Sequence, residues 1–123
     1  LISAQSSWNF ESNIASTKLG SDVVACDINN DTYYDLAASS ISNVYVWMGN
    51  SSGSFDSTPS YILPITNTTI TTDGLAIKCV DLNADGFPDL IVGNWSSTSG
   101  NLNTVVIFNG TASGLSTEAA ILK

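Results

Sequence analysis

The 123-residue chain contains no histidine and no arginine, and its only basic residues are Lys18, Lys78 and Lys123. Without histidine the chain lacks the commonest general base, and it cannot form a Ser-His-Asp site, a Cys-His site or a zinc site with an imidazole ligand. Three scattered lysines also argue against nucleic acid and anionic membranes, which bind to clustered cations. We therefore expect a protein that is not an enzyme and that does not bind nucleic acid.

Cysteine and long apolar runs are scarce as well. Cys26 and Cys79 are too few for a four-cysteine metal site. No stretch approaches the ~20 apolar residues of a membrane helix, so we expect no membrane insertion. No signal peptide is visible, and the chain begins with Leu1 instead of Met, which we interpret as a processed or partial chain.

The abundant residues are small and polar. Serine, threonine and asparagine make up 43 of the 123 residues, while β-branched and aromatic residues recur in runs of strand length. This composition predicts an extracellular β-protein and not a disordered tail. The net charge is −8, but six of the eleven acidic residues lie in two short segments, so the acidity is local.

These segments are two loops of one design, 54 residues apart. Residues 27–36 read DINNDTYYDL, and residues 81–90 read DLNADGFPDL. Both carry oxygen-bearing side chains at loop positions 1, 3, 5 and 9, and alternate residues of a tight loop point inward. Because Ca²⁺ takes about six to eight oxygen ligands, the pattern predicts a Ca²⁺ site in each loop. A pair of bare Asx turns is the alternative.

The loops are the centres of an internal repeat. Each unit contains four short β-runs separated by Gly, Asn, Ser and Asp turns, and no segment keeps a helical period. We divide the chain into an N-terminal arm, a first unit, a linker and a second unit, at residues 1–19, 20–65, 66–72 and 73–123. Residues 95–103 form a Ser-rich insert in the second unit.

The loops, the Asp-Leu pair that ends each of them and the Gly-rich hairpins resemble the FG-GAP (VCBS-type) repeats of integrin-alpha-like β-propellers, over roughly residues 20–123. The resemblance implies an all-β fold of two four-stranded propeller-type blades, each with a Ca²⁺ loop between two strands. It implies side-chain ligands at loop positions 1, 3, 5 and 9 and a backbone carbonyl ligand at position 7. These residues are Asp27, Asn29, Asp31, Tyr33 and Asp35 in the first loop, and Asp81, Asn83, Asp85, Phe87 and Asp89 in the second.

Loop position 6 is where the two repeats differ. It is Gly86 in the second loop and Thr32 in the first. If the position needs a positive φ, threonine is unfavourable there. We therefore expect the second Ca²⁺ site to be the more secure one.

The number of β-runs predicts an assembly. Two blades cannot close a propeller, which usually needs about four to eight. Residues 8–14 resemble the last strand of a unit, so the arm is one strand too many for two blades. We expect this strand to complete a sheet of a neighbouring copy, so that copies join in a ring or a fibre. The alternatives are an arm that caps its own sheet and a chain that is a fragment of a larger propeller.

The two cysteines predict a link between the blades. Cys26 directly precedes its loop, whereas Cys79 lies two residues before its own, so the thiols point to opposite faces of equivalent strands. If the front of one blade packs on the back of the other, both thiols enter the same interface. A Cys26–Cys79 disulfide is then favoured in an oxidising compartment, and two buried free thiols are the alternative.

Five Asn-x-Ser/Thr sequons are candidate glycosylation sites, at Asn30, Asn50, Asn67, Asn94 and Asn109. Among the tryptophans, we expect Trp47 in the core and Trp95 as the one candidate for contact with a sugar. The sequence thus predicts an extracellular, Ca²⁺-stabilised structural or adhesive glycoprotein that self-assembles by strand addition. The alternatives are a carbohydrate-binding, lectin-like module and a fragment of a larger β-propeller adhesion protein.

Overall fold

The computed structural model describes residues 18–65, 75–94 and 103–122. These ranges contain eight β-strands and no helix, and therefore no helix that could cross a membrane. The strands are β1 (Val23–Cys26), β2 (Asp35–Ser39), β3 (Asn43–Trp47), β4 (Tyr61–Pro64), β5 (Leu75–Val80), β6 (Asp89–Asn94), β7 (Thr104–Thr111) and β8 (Gly114–Leu122).

The strands form two antiparallel sheets that follow the chain. One sheet has the order β1-β2-β3-β4 and the other β5-β6-β7-β8. Each acidic loop joins the first two strands of its sheet, and the loop ends pair as Cys26 with Asp35 and Val80 with Asp89. The predicted all-β fold is confirmed, and over the described residues it consists of two antiparallel sheets of four strands each. The predicted arm strand, the linker and most of the insert lie outside the described residues.

Alternation along the strands places the core between the sheets. In β5, Leu75 and Ile77 are buried while Ala76 and Lys78 are exposed, as a period of two requires. β7 alternates in the same way, whereas β2 buries residues of both faces. Trp47, predicted as a core residue, is 2% exposed. The core cluster includes Ile28, Val44, Val46, Leu63, Leu75, Ile77, Leu90, Val92, Val106 and Phe108.

The two sheets stack front to back. Leu36 pairs with Trp47, and its repeat equivalent Leu90 pairs with Phe108, so Trp47 and Phe108 occupy the same place in their sheets. Phe108 belongs to the core between the sheets, whereas in the first sheet it is the neighbour of Trp47, Val46, that does so. Opposite faces of equivalent sheets therefore meet, which is the arrangement on which the predicted disulfide depended.

The sheets are joined most closely at their first strands. The Asp22 carboxylate accepts a hydrogen bond of 2.9 Å from the Ile77 amide, and the Ser39 hydroxyl donates one of 2.5 Å to the Leu75 carbonyl. Cys26 and Cys79 form the predicted disulfide across the same edge, with their Cα atoms 6.5 Å apart. Packed sheets ordinarily lie ~10 Å apart, so the disulfide marks the place where they converge.

The sheets separate toward their last strands. A cavity of about 350 Å³ lies between residues 62–65, at β4, and the facing side chains of β7 and β8. Beyond it, the Tyr61 hydroxyl donates to the Ser113 carbonyl at 3.4 Å. The stack is therefore a wedge, narrow at β1 and β5, as in blades arranged around an axis.

The disulfide should supply a large part of the stability of the stacked pair. It closes a loop with a sequence separation of 53, for which the loss of chain entropy in the unfolded state corresponds to about 4 kcal/mol. We expect the Cys26→Ser, Cys79→Ser double variant to unfold at correspondingly lower denaturant. Reductant should lower the midpoint of the wild type and leave that of the variant unchanged. Two thiols that react with an alkylating agent in the native protein would contradict the assignment.

Candidate metal centre

The first acidic loop is held by hydrogen bonds among loop positions 1, 3, 5, 6 and 7. The Asp27 carboxylate accepts the amides of Asp31 and Thr32, at 2.9 and 2.7 Å. The Asn29 side-chain amide donates to the Asp31 carboxylate at 3.0 Å, and the backbone amide of Tyr33 donates to the same carboxylate at 2.9 Å. The structure therefore brings the predicted side chains of positions 1, 3 and 5 together.

The second loop repeats these bonds position by position. The Asp81 carboxylate accepts the amides of Asp85 and Gly86, at 3.1 and 2.9 Å. The Asn83 side chain donates to Asp85 at 3.0 Å, and the Phe87 amide does so at 2.9 Å. Because the sequences differ at half of their positions, this agreement shows that the shared oxygen-bearing residues determine the loop conformation.

The carboxylate at loop position 9 is buried and bonds outside the loop as well as within it. Asp35 is 1% exposed. One of its oxygens accepts the Ile28 amide at 2.7 Å, and the other accepts the Gly49 amide, just beyond β3, at 2.8 Å. It therefore ties the loop to the third strand. In the second loop, equivalent bonds join Asp89, also 1% exposed, to Leu82 and Gly110.

Gly49 and Gly110 are site residues that sequence reasoning missed. A Cβ atom at Gly49 would lie 2.1 Å from the Tyr34 carbonyl oxygen, and one at Gly110 would lie 2.1 Å from that of Pro88. Both glycines therefore allow the loop to approach the third strand closely enough for the position-9 carboxylate to reach it. The signal available in the sequence was a glycine near the end of the third β-run of both units.

The environment of Asp35 disfavours its charged form. Burial raises the pKa of Asp35 above its ordinary value, and the nearby carboxylates of Asp31 and Asp27 raise it further. Hydrogen bonds from the amides of Gly49 and Ile28 act in the opposite direction. A cation bound in the loop would act against this rise in the pKa of Asp35.

The loop residues fit a hard cation by their chemistry. All the predicted ligands are oxygens, and Asn29 Oδ1 is buried without a hydrogen-bond partner, which is unfavourable for a polar atom unless something else binds it. Its counterpart, Asn83 Oδ1, accepts the Asp85 amide at 3.2 Å. Within the described ranges, however, no three acidic, cysteine or histidine side chains are gathered as tightly as in a finished metal centre.

Both loops have a positive φ at position 6. The angle is 81° at Thr32 and 91° at Gly86, and position 4 is also left-handed, with 55° at Asn30 and 59° at Ala84. A β-branched residue is strained in this region, which glycine adopts freely. Position 6 therefore does adopt a positive φ, which was the condition for expecting the second Ca²⁺ site to be the more secure one.

The structure separates the predicted sequons by exposure. Asn30, Asn50 and Asn109 are exposed. Asn94 lies on β6 and is 4% exposed, which leaves no room for a glycan on its side chain in this fold. The remaining sequon, Asn67, and the candidate sugar contact, Trp95, fall outside the described residues.

Comparison with known proteins points to the same repeat. A family model of the FG-GAP-like repeat matches residues 27–92, a span that covers more than half of the chain and contains both acidic loops. Integrin alpha-6 of Homo sapiens is 28% identical to the chain over 120 residues. That alignment covers 89% of this chain and 10% of the integrin, so the chain spans about a tenth of the length of this relative.

Exchanging the position-6 residues should change stability in opposite directions. Thr32→Gly should stabilise the protein by about 0.5–1 kcal/mol, because relief of left-handed strain exceeds the added freedom of the unfolded chain. Gly86→Thr should destabilise it by about 1–2 kcal/mol. A Cβ atom at Gly86 would have no atom within 4 Å, so backbone strain alone would be responsible. Denaturant unfolding in chelator checks both values on unglycosylated protein, and equal signs would contradict the explanation.

Proposed function

Because the chain belongs to the FG-GAP-like repeat family, we propose that it supplies two Ca²⁺-stabilised blades to an extracellular, adhesion-type assembly of propeller blades. Its role is structural and not catalytic. The family and the integrin relative support a piece of an adhesion-type β-propeller, and the Ser/Thr/Asn-rich composition and the disulfide support an oxidising, extracellular location.

The observation that carries this proposal is the front-to-back stacking of the sheets. Two equivalent faces packed against each other would complete a pair, whereas a front packed on a back leaves the outer face of each sheet outside the contact. Trp47, on the outer face of the first sheet, is already buried, so the outer face that is exposed is that of the second sheet. The outer face of the second sheet carries Ile91, Ile107, Val105 and Val80, and the last two are 38% and 47% exposed. By the repeat, Val105 and Ile107 are the equivalents of Val44 and Val46, which pack in the core.

Copies of the same chain are the proposed source of the next blade. Each described sheet has four strands and ends in its own last strand, β4 or β8. We propose that the fifth β-run expected in the arm at residues 1–19 pairs with a neighbouring copy instead. Pairing with the sheet of a neighbouring copy would give that run a place and would give the outer face of the second sheet a partner. Repetition of this contact would produce a ring or a fibre.

Ca²⁺ would stiffen the blades from their loops. We propose that Asp27, Asn29, Asp31, Asp35 and the Tyr33 carbonyl hold one ion, and that Asp81, Asn83, Asp85, Asp89 and the Phe87 carbonyl hold the other. The bound charge would offset the repulsion among the carboxylates, so that ion binding is coupled to folding. We further propose that the exposed sequons carry glycans.

A piece of a longer propeller chain is the second candidate. It is favoured by the comparison in which this chain aligns with only 10% of integrin alpha-6. In that case the remaining blades would come from the same polypeptide, and the loops and the stacking would serve the same purpose.

Thermal melts with and without Ca²⁺ test the metal part of the proposal. We expect Asp85→Ala to lower the melting temperature much more in Ca²⁺ than in chelator. Its hydrogen bonds with Asn83 and Phe87 are lost in both conditions, whereas the lost ligand matters only when the ion is present. Asp56→Ala removes an exposed acid outside the loops and is the matched control, with little change in either condition. Equal losses for Asp85→Ala in both conditions would rule out its role as a ligand.

Particle size tests the assembly part. Electron microscopy and light scattering of the full chain in Ca²⁺ should show rings or filaments that come apart in chelator. Deletion of residues 1–14 should leave single chains with an unchanged β-sheet spectrum. Particles of undiminished size after the deletion would refute strand addition, and single chains in every condition would favour the piece of a longer propeller.

A further inference from the structure

A cavity of about 230 Å³ lies beside the first acidic loop. Tyr33 and Tyr34, at loop positions 7 and 8, form one side, and they are 41% and 70% exposed. The long connection between β3 and β4 forms the other side through Asn50, Ser54 and Phe55. Aromatic rings on an otherwise small and polar surface need an explanation, because the loop bonds involve only the backbone amide of Tyr33.

The lining suits a sugar ring. Pyranose rings present C–H groups on their faces and hydroxyl groups at their edges, so they bind in concave sites with aromatic walls and a few polar groups. Tyr34 offers the aromatic surface here, and Ser54 and Asn50 offer polar groups at the rim.

Asn50 offers a point of covalent attachment for such a sugar, because it lines the cavity and is also the exposed asparagine of a sequon. Its side-chain Oδ1 accepts the Ser52 amide at 2.9 Å and also the Ser52 hydroxyl. Its carbonyl accepts the Gly53 amide at 3.3 Å. These bonds hold the amide plane, and therefore the direction of Nδ2, the atom to which an N-glycan is joined.

We propose that this cavity holds the first sugar of a glycan attached to Asn50, an N-acetylhexosamine that packs on Tyr34. The covalent link forms when Asn50 Nδ2 displaces a lipid diphosphate from C1 of a lipid-linked glycan donor and loses a proton. The inference rests on the proposed function in one respect, namely that the chain is a glycoprotein.

The second sheet supplies an internal contrast. There β7 and β8 are joined by residues 112–113 alone, too short a turn to build the facing wall, and position 8 is Pro88 in place of Tyr34. Asn109 is exposed on β7, so a glycan at Asn109 would have no equivalent cavity.

The sugar would contact the loop residue with the strained backbone. Thr32, with its positive φ of 81°, also lines this cavity, so a sugar packed there would support the loop that carries the backbone strain. The second loop has Gly86 at the same position and does not need such support. The cavity and the strained residue thus occur in the same repeat.

The test uses the full chain, secreted from a eukaryotic host and trimmed with an endoglycosidase to one sugar per site. Glycopeptide mass spectrometry shows which sequons are occupied. Melting temperatures are then compared for wild type, Asn50→Gln, Tyr34→Ala and the double variant, with Asn109→Gln as the control for glycan loss. Because Tyr34 is 70% exposed, Tyr34→Ala should fold.

We expect Asn50→Gln to lower the melting temperature by about 3–6 °C more in the presence of Tyr34 than in the Tyr34→Ala background, where only the bonds of Asn50 with Ser52 are lost. Asn109→Gln should give the same small change in both backgrounds. An occupied Asn50 with equal losses in both backgrounds would overturn the cavity assignment and leave the proposed function intact. Absence of glycan from every sequon would overturn the inference together with the glycoprotein part of the proposed function, whereas the Ca²⁺ and assembly experiments would be unaffected.

Discussion

The buried carboxylate at loop position 9 is the contact on which each blade depends. Asp35 and Asp89 are both 1% exposed, and each divides its two oxygens between an amide of the loop and an amide at the end of the third strand. A single side chain therefore sets the position of the acidic loop relative to three strands. The close approach it requires excludes any side chain at Gly49 and Gly110. Burying a charged group is unfavourable unless its charge is satisfied, so the same residue that orders the loop also makes a nearby cation favourable.

Two loops with the same hydrogen bonds differ in what surrounds them. The second has glycine at the strained position and a short turn behind it, whereas the first has Thr32, two exposed tyrosines and a long connection. The repeat has thus kept the bonds that form the loop while its outer surface has diverged. In the proposed assembly the second loop would be the more rigid element, and the first would be the place where glycan contributes to stability.

The contacts between the two sheets explain how further sheets of the same kind could be added. The disulfide, the Asp22–Ile77 bond and the Ser39–Leu75 bond join β1 and the end of β2 to β5, and the sheets separate toward the last strands. Front-to-back packing of sheets can be repeated with a third sheet, because each added sheet presents to the next one the same kind of face that it packed against. Closure into a ring or extension into a fibre then depends on the angle of the wedge and on the pairing of the arm.

Several features followed from the sequence alone. Spacing of oxygen-bearing residues located both loops, turn residues and β-branched runs gave four strands per unit, and the offset of Cys26 from Cys79 indicated a shared interface. These features are local, or they repeat, so periodicity exposes them. Tertiary structure alone decided that Asp35 serves the third strand as well as the loop, that Gly49 and Gly110 belong to the site, that Asn94 is buried although its sequon is intact, and that Tyr34 borders a cavity. Each of these depends on contacts between residues distant in the chain, and residue spacing carries no information on which distant atoms a buried carboxylate, glycine or ring will meet.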